Sequence, residues 1–153
     1  KGTGKKQSKV RRATPPGDAG VVLVTHGEFG RDLLASAELI LGPQEGTGFV
    51  SVDVTRQVDE TVEAIREEVE RLSSGAGVLV LTDLFGGSPT TLSLSLLKSH
   101  AMEVVTGVNL PMLISALQNR GMALADLAGK VREAGQQGIK VAGEMLKRKV
   151  ANH

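Results

Sequence analysis

Cysteine, tryptophan and tyrosine are absent from this chain, and phenylalanine occurs only three times in 153 residues. Without cysteine there is neither a disulfide framework nor a thiolate-ligated metal, which fits a reducing compartment and predicts a cytoplasmic location. The scarcity of aromatic rings removes the stacking platforms on which single-stranded nucleic acid is usually held, so no nucleic-acid ligand is expected. No apolar run approaches the ~20 residues that cross a bilayer, so a soluble protein is expected. Neither a G-x-G-x-x-G turn nor a Walker loop occurs, which argues against a dinucleotide or ATP. No cofactor and no metal are expected.

What is present is organised unevenly. The net charge of +1 hides a basic N-terminus carrying Lys1, Lys5, Lys6, Lys9, Arg11 and Arg12, while the remaining twelve basic residues face all 17 acidic ones. Residues 1–19 hold too few apolar side chains to offset the entropy of ordering and read as a flexible basic tail. From residue 20 short β-branched runs alternate with helical periodicities. Gly20 to Thr25, Phe49 to Val54, Val78 to Thr82 and Met102 to Thr106 read as strands. Leu33, Leu34, Ala37, Ile40 and Leu41 recur at helical spacing and stop at Gly42-Pro43. Val58, Val62, Ile65, Val69 and Leu72 form a second stripe, with Glu60, Glu63, Glu67, Glu68 and Glu70 mostly off it as a solvated face. Asn109 and Pro111 open a further helix, and a last one ends near Gly135. Ile139 to Ala142 has the composition of one more short strand.

Strands alternating with helices imply an α/β fold, a mostly parallel sheet between two helical layers with right-handed crossovers. In the flavodoxin-like strand order the binding crevice lies at the carboxyl ends of strands one and three. Strand one ends at Thr25-His26 and strand three at Asp83, so those side chains meet across the crevice. The turn Gly86-Gly87-Ser88 lies beside them. An imidazole with its ordinary pKa of about 6.5 is nucleophilic at neutral pH, and a carboxylate on one ring nitrogen fixes the tautomer and frees the other. The glycines let backbone N–H groups approach an anion, with the Ser88 hydroxyl adding a donor. Ser88 also suits a helix cap, with Pro89 at the first helical position. An imidazole facing an anion pocket points to phosphoryl transfer through a phosphohistidine.

Each residue also has an ordinary explanation. A strand-terminal histidine is commonly a polar loop residue, Asp83 suits a turn, Gly86-Gly87 suits a sharp bend, and Thr25 suits a bond to neighbouring backbone. The conjunction at two strands expected to be neighbours is what favours chemistry. His100 and His153 read as solvated. A receiver domain would need an acidic phosphoacceptor pair where this chain has Thr25-His26. A hydrolase built on Ser88 would need G-x-S-x-G, and Pro89 follows the serine.

Three stretches, VTHGEFGRDLLASAELILG, VLVLTDLFGGSPTTLSL and VVTGVNLPMLISAL, resemble the mannose-type IIA component of the bacterial sugar phosphotransferase system over roughly residues 20 to 142. The resemblance implies a flavodoxin-like three-layer sandwich with sheet order 2-1-3-4. It implies that His26 accepts a phosphoryl group from the phosphocarrier protein HPr and passes it to a IIB component for sugar uptake, with Asp83 orienting the histidine and Thr25, Gly86, Gly87 and Ser88 lining the phosphate pocket. It also implies a homodimer exchanging a short edge strand near residues 139–142, open to antiparallel pairing, with residues 143–153 as a C-terminal extension. Contact with a membrane is expected only through a transporter complex. Phe85 stands where some members carry tryptophan, which keeps the apolar wall. The basic tail falls outside the family pattern and leaves a second expectation open, a regulatory module whose His26 phosphorylation controls a partner.

Overall fold

A computed structural model of the chain describes residues 13–152. The continuous apolar runs become the central strands. β1 (Gly20–His26) is parallel to β2 (Thr47–Val52) on one side and to β3 (Val78–Thr82) on the other, and β4 (Met102–Val105) closes the sheet beside β3. The order is 2-1-3-4, as expected. Because side chains alternate across a strand, Val21 and Leu23 enter one core and Val22 and Val24 the other. This explains why the run has no polar member.

Six helices occur among the described residues: α1 (Phe29–Leu41), α2 (Val58–Leu72), α3 (Ser88–Leu94), α4 (Leu110–Gln118) and α5 (Leu124–Gln137) cover the two faces, and α6 (Ala142–Ala151) buries no residue. Leu34 and Ala37 of α1, Leu113 and Ala116 of α4 and Leu127 and Val131 of α5 pack on the face of Leu23 and Leu81. Ile65, Val69 and Leu72 of α2 pack with Val22, Val24 and Val80 on the other. Each fully buried Leu or Ile contributes roughly 1.5–3 kcal/mol. The two cores hold β1 and β3 rigidly side by side, which fixes where their carboxyl ends stand. Asn109 caps α4, its side chain accepting a bond from the Met112 N–H at 3.0 Å.

Four expectations change. The tail does not extend to residue 19: Thr14 Oγ1 donates to the Leu72 carbonyl at 2.7 Å, Ser74 Oγ donates to the Asp18 carbonyl at 2.6 Å, and Ala19 is fully buried. Lys1 to Arg12 lie outside the described residues. Ile40 is exposed, because Leu34 and Ala37 already define the buried line of α1 and Ile40 falls beside it. Ile139 to Val141 join no strand of this chain's sheet, and Ala142 begins α6 instead. An edge strand exchanged between subunits needs a second copy, so a single chain leaves that segment unpaired. Finally, Gly87 rather than Ser88 is the residue preceding α3, with extended backbone and no side-chain cap, and Ser88 and Pro89 fill the first helical positions.

Candidate functional site

His26 is the last residue of β1, and Asp83 directly follows β3. With the two strands in parallel register, Val24 opposite Thr82, the side chains meet at the carboxyl edge. Asp83 Oδ2 lies 2.9 Å from His26 Nδ1 and also accepts the His26 backbone N–H at 2.9 Å. One carboxylate oxygen therefore fixes the ring and the main chain of the same residue. The histidine side chain is 43% exposed and the carboxylate 16%. Among the described residues Asp83 Oδ1 is buried without a hydrogen-bond partner, so the carboxylate is answered by His26 alone. A carboxylate accepts only, so Nδ1 carries the proton and the lone pair is on Nε2.

The Gly86-Gly87 turn closes against that free nitrogen. Gly86 has φ +80°, a conformation that favours glycine, and the Gly87 N–H donates to the Leu84 carbonyl at 3.2 Å. A Cβ on Gly87 would stand 3.1 Å from His26 Cε1 and 3.7 Å from Nε2. The turn thus passes beside the Cε1–Nε2 edge of the ring. Ser88 follows it and is exposed. Thr25 is placed differently from the expectation: it is buried, and its hydroxyl accepts the Gly30 N–H at 2.7 Å. It ties the start of α1 to β1 behind His26 and does not face the opening.

An open cleft of about 670 Å³ lies on the other side of His26, lined in part by Glu28, Ser51, Asp53, Arg56 and Glu67. Two bonds from Thr55, first from its backbone N–H and then from its hydroxyl, hold the Asp53 carboxyl below its ordinary value. Phe29, Val54, Leu84 and Phe85 stand exposed around the same edge. His100 is not solvated as expected. It is half-buried, with Nδ1 2.8 Å from Ser99 Oγ and Nε2 3.1 Å from Glu70 Oε1. Both of its nitrogens are engaged. His153 lies outside the described residues.

Sequence reasoning passed over Arg120. It is buried after α4, donating to the carbonyls of Ala19, at 2.9 Å, Gly46, at 2.9 Å, and Glu45. Burial lowers its pKa, with Asp18 and Glu45 opposing. It fastens the amino ends of the strands, opposite the site. Nothing local in the sequence signals it, since its partners lie 74 to 101 residues away.

Fold and site together define a doubly wound α/β protein with a carboxylate-oriented imidazole at its topological switch point. Residues 20–134 match the family described as the PTS system fructose IIA component. The chain is 33% identical over 124 residues to the mannose-specific EIIAB component of Escherichia coli K12, covering 78% of this chain and 38% of that protein. It is 30% identical over 135 residues to the fructose-specific EIIA component of Bacillus subtilis 168, covering 86% of this chain and 92% of that one. The crystal structure of phosphotransferase system component EIIA from Streptococcus agalactiae superposes with a TM-score of 0.75 at 31% identity, over 82% of this chain and 98% of that one. The chain therefore belongs to the mannose- and fructose-type IIA family of the sugar phosphotransferase system. It spans well under half the length of the two-part Escherichia coli relative.

Proposed function

We propose that this protein is a phosphohistidine relay that accepts a phosphoryl group from HPr on His26 and passes it to a IIB component during sugar uptake. The observation that carries the reading is the 2.9 Å pairing of His26 Nδ1 with Asp83 at the end of neighbouring strands. The Nε2 lone pair attacks phosphorus and an N–P bond forms. The bond from phosphorus to the donor breaks, and its electron pair leaves with the donor. The ring becomes cationic with Nδ1 still protonated, and Asp83 stabilises that charge. Transfer to IIB runs the same step with the chain as donor. Little covalent assistance is needed, so the protein's part is positioning and charge. The Gly86 N–H and the Ser88 hydroxyl are the proposed phosphoryl ligands. Gly87, whose own N–H is given to Leu84, lines the pocket by leaving the space beside the ring clear of a side chain, and Thr25 acts from behind through Gly30.

Partner proteins need an accessible face. The exposed Phe29, Val54, Leu84 and Phe85 around the half-exposed imidazole suit transient docking of HPr and IIB. α6 shows no buried residue and, with the preceding segment, exposes Ile139, Val141, Met145, Leu146 and Val150. Cover by a second copy is proposed, giving a homodimer. No helix among the described residues is long and apolar enough to cross a membrane; a cytoplasmic location is part of the proposal, with the membrane step assigned to another component.

Incubation with phosphorylated HPr carrying labelled phosphate tests the relay. Label retained by His100→Ala and lost by His26→Ala is the expected pattern. Label kept by His26→Ala would remove the site.

A further inference from the structure

Behind the Gly86-Gly87 turn lies a chain of three threonine hydroxyls that the relay as described does not use. Thr90, buried on α3, donates from Oγ1 to the Leu84 carbonyl at 2.9 Å. Its oxygen is 2.6 Å from Thr82 Oγ1 at the end of β3 and 3.3 Å from Thr106 Oγ1 just beyond β4. A hydroxyl has one proton and two acceptor sites. Since the Thr90 proton goes to Leu84, both other hydroxyls must donate to Thr90, and the direction of the chain is fixed. The Leu84 carbonyl thereby receives two donors, Thr90 Oγ1 and the Gly87 N–H. That carbonyl is the pivot of the turn whose Gly87 passes beside His26.

We propose that Thr90 is a positioning residue for the transfer at His26. Its hydroxyl, fed by Thr82 and Thr106, clamps the Leu84 carbonyl and holds the Gly86-Gly87 turn at the distance the phosphoryl group requires. Two adjacent strands and α3 converge on one oxygen, so the turn is referenced to the same sheet that carries His26 and Asp83. The inference rests on His26 being the phosphoryl acceptor.

The test uses the full chain and labelled, phosphorylated HPr in single-turnover transfer. Thr90→Val keeps the branched shape and removes the hydroxyl; it is expected to lower the maximal transfer rate by about 10- to 100-fold, as misplacement of a reacting group does, with the half-saturating HPr concentration unchanged. Thr90→Ser restores the hydroxyl and is expected to return the rate to within about threefold of the parent, because the bond rather than the methyl carries the effect. In nuclear magnetic resonance spectra the Gly86 and Gly87 amides and the His26 ring nitrogens should move in the valine variant and return in the serine one. Thr82→Val, which replaces one strand residue by a good strand former, reads the same chain should Thr90→Val fold poorly; about a two- to fivefold slower rate is expected for loss of one link. Parental rates in Thr90→Val or, where that variant is unfolded, in Thr82→Val would overturn the role of Thr90. Equal losses in the valine and serine variants, or a change confined to half-saturation, would do the same. A parent protein that takes no label overturns instead the reading of His26 on which this rests.

Discussion

Asp83 holds His26 twice through a single oxygen, Oδ2, which accepts from the ring Nδ1 and from the backbone N–H, each at 2.9 Å. Ring orientation and strand end are therefore set by the same atom. Asp83→Asn keeps the size but loses the charge and the obligatory acceptor. Phosphoryl uptake from HPr is expected to slow on the order of 10²-fold or more, the usual worth of a positioned proton partner. Single-turnover label transfer checks the rate, and the His26 ring nitrogen shifts should report a mixture of tautomers.

The two glycines of the turn should respond differently. Gly87 has ordinary φ, but an added Cβ would crowd His26 Cε1 at 3.1 Å and the Leu84 carbonyl at 3.3 Å. Gly87→Ala is expected to slow transfer on the order of tenfold through displacement of the ring or the turn, with little loss of stability. Gly86 has open space around it and φ +80°. Gly86→Ala should instead cost about 1–2 kcal/mol of backbone strain where the turn is kept. Denaturant unfolding and transfer rates, measured on both variants, separate the two effects.

Arg120 should matter for stability and not for transfer. Arg120→Met removes the guanidinium donors from the carbonyls of Ala19, Glu45 and Gly46, of which Gly46 keeps the Val21 N–H at 3.0 Å. A loss of about 1–3 kcal/mol is expected where buried carbonyls lose a donor in this way. Arg120→Lys should recover part of it, since an ammonium carries the charge without the fork that reaches three oxygens. Urea unfolding measures both, while transfer rates below the transition stay near those of the parent.

The exposed apolar line of Met145, Leu146 and Val150 on α6 predicts self-association. Sedimentation velocity at micromolar concentration should give a dimer, and Leu146→Asp combined with Val150→Asp should give a monomer. A monomeric parent protein would remove the proposed second copy.

The central strands could be read from the chain because local information suffices there: Val21 to Val24 and Val78 to Leu81 are apolar without interruption, as burial on both faces demands. His26 and Asp83 followed from topology, since the switch point names which strand ends meet before any contact is seen. Other features depend on partners distant in sequence. His100 reads as an ordinary polar residue until Glu70, 30 positions earlier, is seen against it. Thr25 has two plausible uses for its hydroxyl, and only the approach of Gly30 decides between them. Ser88 looks like a cap because its type suits one, yet the extended backbone of Gly87 takes that position. Ile139 to Val141 have strand composition, but pairing needs an open edge from somewhere, and this chain alone leaves them outside its sheet.

The most direct test of the account is to identify the phosphorylated atom. With Nδ1 held by Asp83, the structure leaves only Nε2 of His26 for attack. Phosphorylated protein, cleaved under alkaline conditions and mapped by tandem mass spectrometry with phosphorus resonance to distinguish the two ring isomers, should carry one phosphoryl group on Nε2 of His26. A group on Nδ1, on His100 or on a hydroxyl would contradict it.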